Sequence, residues 1–196
     1  MRLRRCEAGV SLAELVVVLA GTAILAAIAA PMTGSRPADF DTAGAARHLA
    51  SLLHLTRMDA IRRGAHVALW LQPTGTGVRF ATFVDGNLNG VRTTDISSGA
   101  DSQLTPWETL SGHFAGVGFA IGPGVTDIDS GILLSGDPVR LGGSELLSFS
   151  PTGTATSGTL YLRGPSGRQF AVRVLGATGR VRVLRYGPAE RQWLLP

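Results

Sequence analysis

The sequence predicts an α+β fold in which one long N-terminal helix, apolar in its first half and amphipathic in its second, packs on an antiparallel β-rich domain. Three observations predict it. Residues 10–30 are almost purely apolar, and residues 39–63 place apolar side chains at helical spacing. From residue 65 onward the apolar period falls to two, between glycine-rich turns.

The first element follows a short basic leader, Met-Arg-Leu-Arg-Arg-Cys-Glu-Ala-Gly, at residues 1–9. Residues 10–30 read VSLAELVVVLAGTAILAAIAA. As a helix they span roughly 31 Å at ~1.5 Å per residue, about one bilayer core. Arginines before the span place the leader in the cytoplasm and the remainder beyond the membrane. A cleaved secretory signal has a shorter apolar stretch of about 7–15 residues. A plain anchor gives no reason for Glu14, whose carboxylate costs on the order of 2.5–3.5 kcal/mol in hydrocarbon without a partner. A cut between Gly9 and Val10 supplies that partner, because it creates a positive amine at Val10. Glu14 of one copy then neutralises the Val10 amine of the next.

Gly9-Val10-Ser11-Leu12-Ala13-Glu14-Leu15 resembles the processing site of type IV prepilins and type II secretion pseudopilins. The resemblance implies a dedicated peptidase that cuts after Gly9 and methylates Val10, with Glu14 guiding assembly into a helical filament. Pro31 falls where that family commonly kinks its helix. Val10 departs from the usual phenylalanine, which implies slower processing. Cys6 leaves with the leader, so the mature chain has no cysteine.

The second element, residues 39–63, recurs with Ala46, Leu49, Leu53 and Ala60, widened by Leu52 and Ile61. Asp39 or Asp41 suits its start, Arg62 and Arg63 its C-terminal dipole, and Gly64 its stop. The division expected is therefore a leader at 1–9, a membrane and filament-core helix at 10–30, an amphipathic helix at 31–64 and a periplasmic β-rich domain at 65–196. Ala65–Leu71 and Val78–Val84 read as a hairpin around residues 73–77. Leu146–Ser150 begins another strand, and Thr159–Arg163, Arg168–Leu175 and Arg180–Tyr186 form a meander. Residues 85–145 hold short apolar runs at Val117–Ile121 and Ile132–Leu134 but no readable order of strands. The stretches LASLLHLTRMDAIRRGAHVAL, FSPTGTATSGTLYL and GATGRVRV resemble the helix-to-strand segment and final strands of the GspH/FimT group of minor pilins and pseudopilins.

Composition narrows the chemistry. All 18 basic residues of the 196 are arginine, so lysine nucleophiles, Schiff bases and phosphate-loop lysines are excluded. One cysteine excludes a disulfide framework and a cysteine-built zinc site. His48, His54, His66 and His113 are not at metal-ligand spacing in the chain, and no serine sits in a nucleophile elbow. Trp70, Trp107 and Trp193 read as core or rim. The expectation is a structural subunit without cofactor rather than a membrane-anchored enzyme.

Two further site readings remain. Asp85, Asn87 and Asn89 followed by Gly90 imitate the start of a calcium loop, with Asp95 one residue short of the closing position. A surface turn explains the same run. The +4 charge is also segregated. Residues 85–145 carry eight acids against Arg92 and Arg140, and residues 152–196 carry seven arginines against Glu190. Alternation places Arg163, Arg173, Arg180 and Arg182 on one sheet face. That face suits a DNA backbone, as the FimT resemblance permits, or is neutralised by the acidic insert or a neighbouring subunit. The leading reading is a minor pseudopilin of type II secretion in the bacterial inner membrane, partnered by other pseudopilins through its N-terminal helix. The alternative is a type IV minor pilin with nucleic acid as a further partner.

Overall fold

A computed structural model describes residues 11–33 and 38–196, with side chains for 11–25 and 40–196. The chain divides into two compact units between Arg36 and Pro37.

The first unit holds α1, Leu12–Thr33. Ser11 caps it: its Oγ accepts from the Glu14 N–H at 3.2 Å. Glu14 thus stands in the first turn, where a carboxylate suits the positive end of the helix dipole. Every side chain described along α1 is exposed and nearly all are apolar, with Leu15 through Leu19 at 53–71%. Five successive positions cover every angular face of a helix. Gly9 and Val10 lie outside the described residues, as does the side chain of Pro31, although α1 continues through Pro31 to Thr33. Among the described residues no helix is long and apolar enough to cross a membrane.

The second unit begins with α2, Ala38–Arg63. Thr42, Ala45, Ala46, Leu49, Leu53, Thr56 and Ala60 are buried, a three- and four-residue alternation that keeps one stripe facing inward. Ile61 departs from the expected stripe and is 44% exposed, because Ala60 already occupies the inward position. Asp41 sits inside the first turn rather than before it, since the helix already begins at Ala38. Gly64 ends α2 with φ +65°, as expected of a left-handed stop.

The strands form two antiparallel sheets. In the first, β1 (Val67–Thr74) lies between β2 (Gly77–Val84) and β7 (Leu146–Phe149). The β1–β2 loop is tighter than expected, because pairing runs out to Thr74 and Gly77 and leaves only Gly75-Thr76 to turn. Pro73 is tolerated there because β7 pairs only with Val67–Trp70, so no ladder bond is missing at residue 73. The second sheet runs β11 (Gln192–Leu194), β10 (Arg180–Gly187), β9 (Gln169–Leu175), β8 (Gly158–Arg163).

The segment that resisted sequence reading supplies only short pieces. They are α3 (Thr93–Ser98), β3 (Ser102–Gln103), β4 (Glu108–Thr109), α4 (Leu110–His113), β5 (Gly118–Phe119) and β6 (Val139–Arg140). β3 and β4 extend the first sheet beside β2, and β5 and β6 extend the second beside β8. Strands of two residues carry no period, so they leave no alternation to read.

One core joins α2 to both sheets: Leu49 and Leu53 meet Leu69, Phe80, Leu147, Phe149, Leu160, Phe170 and Val172. Close approach is built in at the β8–β9 turn, where a Cβ on Gly164 would lie 1.9 Å from Thr42 Oγ1. The outer face of the first sheet holds a smaller cluster of Ala68, Ala81, Phe83 and Leu146 under Val91, Ile96 and Trp107. Leu53→Ala is expected to cost about 2–5 kcal/mol of unfolding free energy, and Leu55→Ala, 64% exposed, to stay within about 0.5 kcal/mol. Urea denaturation of the two variants checks both.

Candidate functional site

The domain's chemistry concentrates on the outer face of the second sheet. Alternation along β8, β9 and β10 does place Arg163, Arg173, Arg180 and Arg182 on that face, with Arg173 and Arg182 directly paired across strands. The side chains then diverge. Arg180 and Arg182 are exposed. Arg173 Nη1 meets Asp129 Oδ2 at 2.6 Å and donates to Thr159 Oγ1 at 3.0 Å. Arg163 lines a cleft of about 450 Å³ with Arg168, Gln169, Arg185 and Tyr186, and its Nε is buried without a hydrogen-bond partner.

The acidic insert reaches this face through residues 120–140. Tyr161 Oη donates to Asp127 Oδ2 at 3.1 Å, Tyr186 Oη to the Gly124 carbonyl at 2.8 Å, and Trp193 Nε1 to the Thr126 carbonyl at 2.7 Å. Arg140 lies 4.0 Å from Asp127. Opposite charge in the two segments therefore serves internal pairing at Arg173. Burial opposes ionisation of Asp127, but the amides of Ser130 and Asp129 and the hydroxyls of Ser130 and Tyr161 hold its carboxyl below the ordinary range. Tyr161 moves the other way: burial, then the charge of Asp127, pushes its phenol up to about 12.

The run at Asp85 closes as an internally bonded loop. Asp85 is buried, its Oδ1 accepting from the amides of Asn87 at 3.1 Å and Leu88 at 2.8 Å, its Oδ2 from Gly90 at 2.7 Å. Asn87 and Asn89 donate their side-chain amides to Asp95 at 3.2 and 3.0 Å. Those two bonds, Asn89 first, hold the Asp95 carboxyl below its ordinary range. A calcium ion taken up by these four residues would have to replace those bonds. The fastening residue that sequence reading missed is Asp101, buried, which accepts from the amides of Gly86 and Arg92. Its only trace in the sequence is an isolated acid in a glycine- and serine-rich stretch.

A family model described as type II transport protein GspH matches residues 45–179, from the first turns of α2 to the turn before β10. The chain belongs to the GspH family. No curated protein matches it. The structure of the minor pseudopilin EpsH from the type 2 secretion system of Vibrio cholerae is similar over 75% of this chain and 98% of that one, at 16% identity and a TM-score of 0.45. Membership in GspH makes the chain a structural transport component rather than an enzyme. The match covers most of α2, β1 to β9 and the whole insert, and α1, β10 and β11 lie outside it.

In this GspH-family domain the Tyr161–Asp127 bond has a pH signature. Tyr161 binds its proton more tightly folded than unfolded, where the phenol ionises near pH 10. Its contribution to stability is therefore complete below about pH 10 and is lost as pH rises toward about 12. Phenolate absorbance in a Tyr186→Phe background is expected to show Tyr161 ionising at lower pH after Asp127→Asn. Unchanged titration would remove Asp127 as a cause.

Proposed function

We propose that this chain is a processed subunit of a periplasmic pseudopilus, anchored in the bacterial inner membrane and assembled through α1. In this reading prepilin peptidase cuts after Gly9 and the freed Val10 amine is methylated. Glu14 then pairs with the Val10 amine of an adjacent copy or related pseudopilin, while the domain that follows α1 remains in the periplasm. Pro31 bends the helix between its membrane half and the outer half.

The observation that carries the reading is α1 itself. It starts immediately beyond the Gly9–Val10 junction, capped by Ser11, and presents apolar side chains on all faces. A helix apolar all round is stable in lipid or among like helices, not alone in water. Glu14 is the single charged group described on it. Between helices in a low dielectric, an unpaired carboxylate is costly and a paired one fixes register. Leu55, Met58 and Ile61 line one exposed side of α2 and supply additional apolar surface for lateral packing.

N-terminal mass spectrometry of the membrane-extracted protein tests the processing step. A chain beginning at methylated Val10 is expected, and one beginning at Met1 overturns the reading. Glu14 contributes only its backbone N–H to the Ser11 cap, so Glu14→Ala leaves that cap in place. It is expected to spare cleavage and membrane insertion while abolishing cross-linking between neighbouring subunits.

A further inference from the structure

His48 is distant in the chain from Glu108 and His113 but adjacent to them in the fold. His48 stands on α2, Glu108 on β4 and His113 at the end of α4. One donor atom from each lies within 4.8 Å of the other two. His113 Nε2 and Glu108 Oε2 share a hydrogen bond at 3.3 Å, which an ion bound between them would replace, and the rings of His48 and His113 have centroids 5.4 Å apart. That 3.3 Å is close to the about 3.4 Å that separates two ligands of a tetrahedral zinc ion with bonds near 2.1 Å.

One ring nitrogen of His48, Nε2, is buried and has no hydrogen-bond partner. Buried polar atoms are ordinarily satisfied, and a neutral imidazole nitrogen left unpaired is the form that binds metal. The other two ligands can adjust: the His113 side chain is 50% exposed and that of Glu108 34%. Both are set by neighbouring backbone. Glu108 is held opposite Phe80 on β2, and Thr109 Oγ1 accepts from the Gly112 N–H to cap α4. Phe114 closes one side, its ring centroid 5.8 Å from His48.

We propose that His48, Glu108 and His113 form a divalent-metal site suited to zinc. Two imidazoles and one carboxylate are a zinc donor set, with water completing four-coordination on the open side of His113. Two nitrogen donors disfavour calcium and magnesium, which take oxygen ligands. The ion would clamp the β4–α4 segment of the insert to α2, closing a loop of about 60 residues between His48 and Glu108. The site stands on the domain alone and is independent of how α1 is processed.

The test uses the untagged full-length chain in detergent micelles, stripped with chelator and titrated with zinc and, separately, with cobalt. One equivalent of zinc is expected to bind and raise the melting temperature, and cobalt to develop the visible absorption of a four-coordinate ion. His48→Gln and His113→Ala are each expected to weaken zinc binding by more than the roughly 10–100-fold that loss of a supporting outer-shell group costs. His54→Ala/His66→Ala is expected to bind as the parent does. Because His113 is half exposed, His113→Ala reads the site even if substitution at His48 disturbs folding. No zinc uptake by the parent chain, or uptake unaffected by His113→Ala, overturns the proposal.

Discussion

The burial of one stripe of α2 organises the domain. Thr42, Ala45, Ala46, Leu49, Leu53, Thr56 and Ala60 lie against two sheets that are hydrogen-bonded within themselves and joined through this helix. Small residues at five of these seven positions let backbone approach backbone, and the two leucines fill the space between the sheets. The same closeness explains Gly164 under Thr42. At the far end of the helix, Arg57 Nε donates to the Gly153 carbonyl at 3.1 Å and fastens the turn that follows β7. Gly179 stacks tightly on that carbonyl too, with φ +60° and room for no Cβ.

Around that core the insert acts as a second coat. Its first part lies over the outer face of the first sheet, where Trp70, Phe83 and Trp107 pack ring against ring and the Arg79 guanidinium sits 4.3 Å from the Trp107 ring centre. Its second part lies over the outer face of the second sheet through Asp127, Asp129 and the Thr126 and Gly124 carbonyls. The second sheet is thus covered on both faces along β8 and β9, which is why these strands are buried almost continuously instead of alternately. Negative charge in the insert and positive charge in the meander are complementary at Arg173. Arg180 and Arg182, near the end of the sheet, stay exposed.

The two units divide the work. The GspH match covers residues 45–179 of the domain, where stability comes from area buried within one chain. The described side chains of α1 present an exposed, largely apolar surface. A transport component of this kind needs few reactive groups, and a chain with no lysine and one cysteine has few.

Much of this was legible in the sequence because periodicity is a local property. The apolar run, the α2 stripe, Gly64 as a stop, the β1–β2 hairpin and the β8–β10 meander each follow from residues a few positions apart. The alternation that puts four arginines on one face was legible too, but what each guanidinium meets was not. Arg173 is answered by Asp129, Asp85 is spent on its own loop, and Asp101 ties that loop from afar. The two-residue strands of the insert leave no period at all. His48 and His113 are 65 positions apart, and only the packing of α4 against α2 brings their rings to 5.4 Å. The sequence by itself determined α1, α2, the β1–β2 hairpin and the β8–β10 meander with their faces, since each depends on neighbours along the chain. Only the tertiary structure decided which charges are paired and which side chains converge, since those depend on contacts across it.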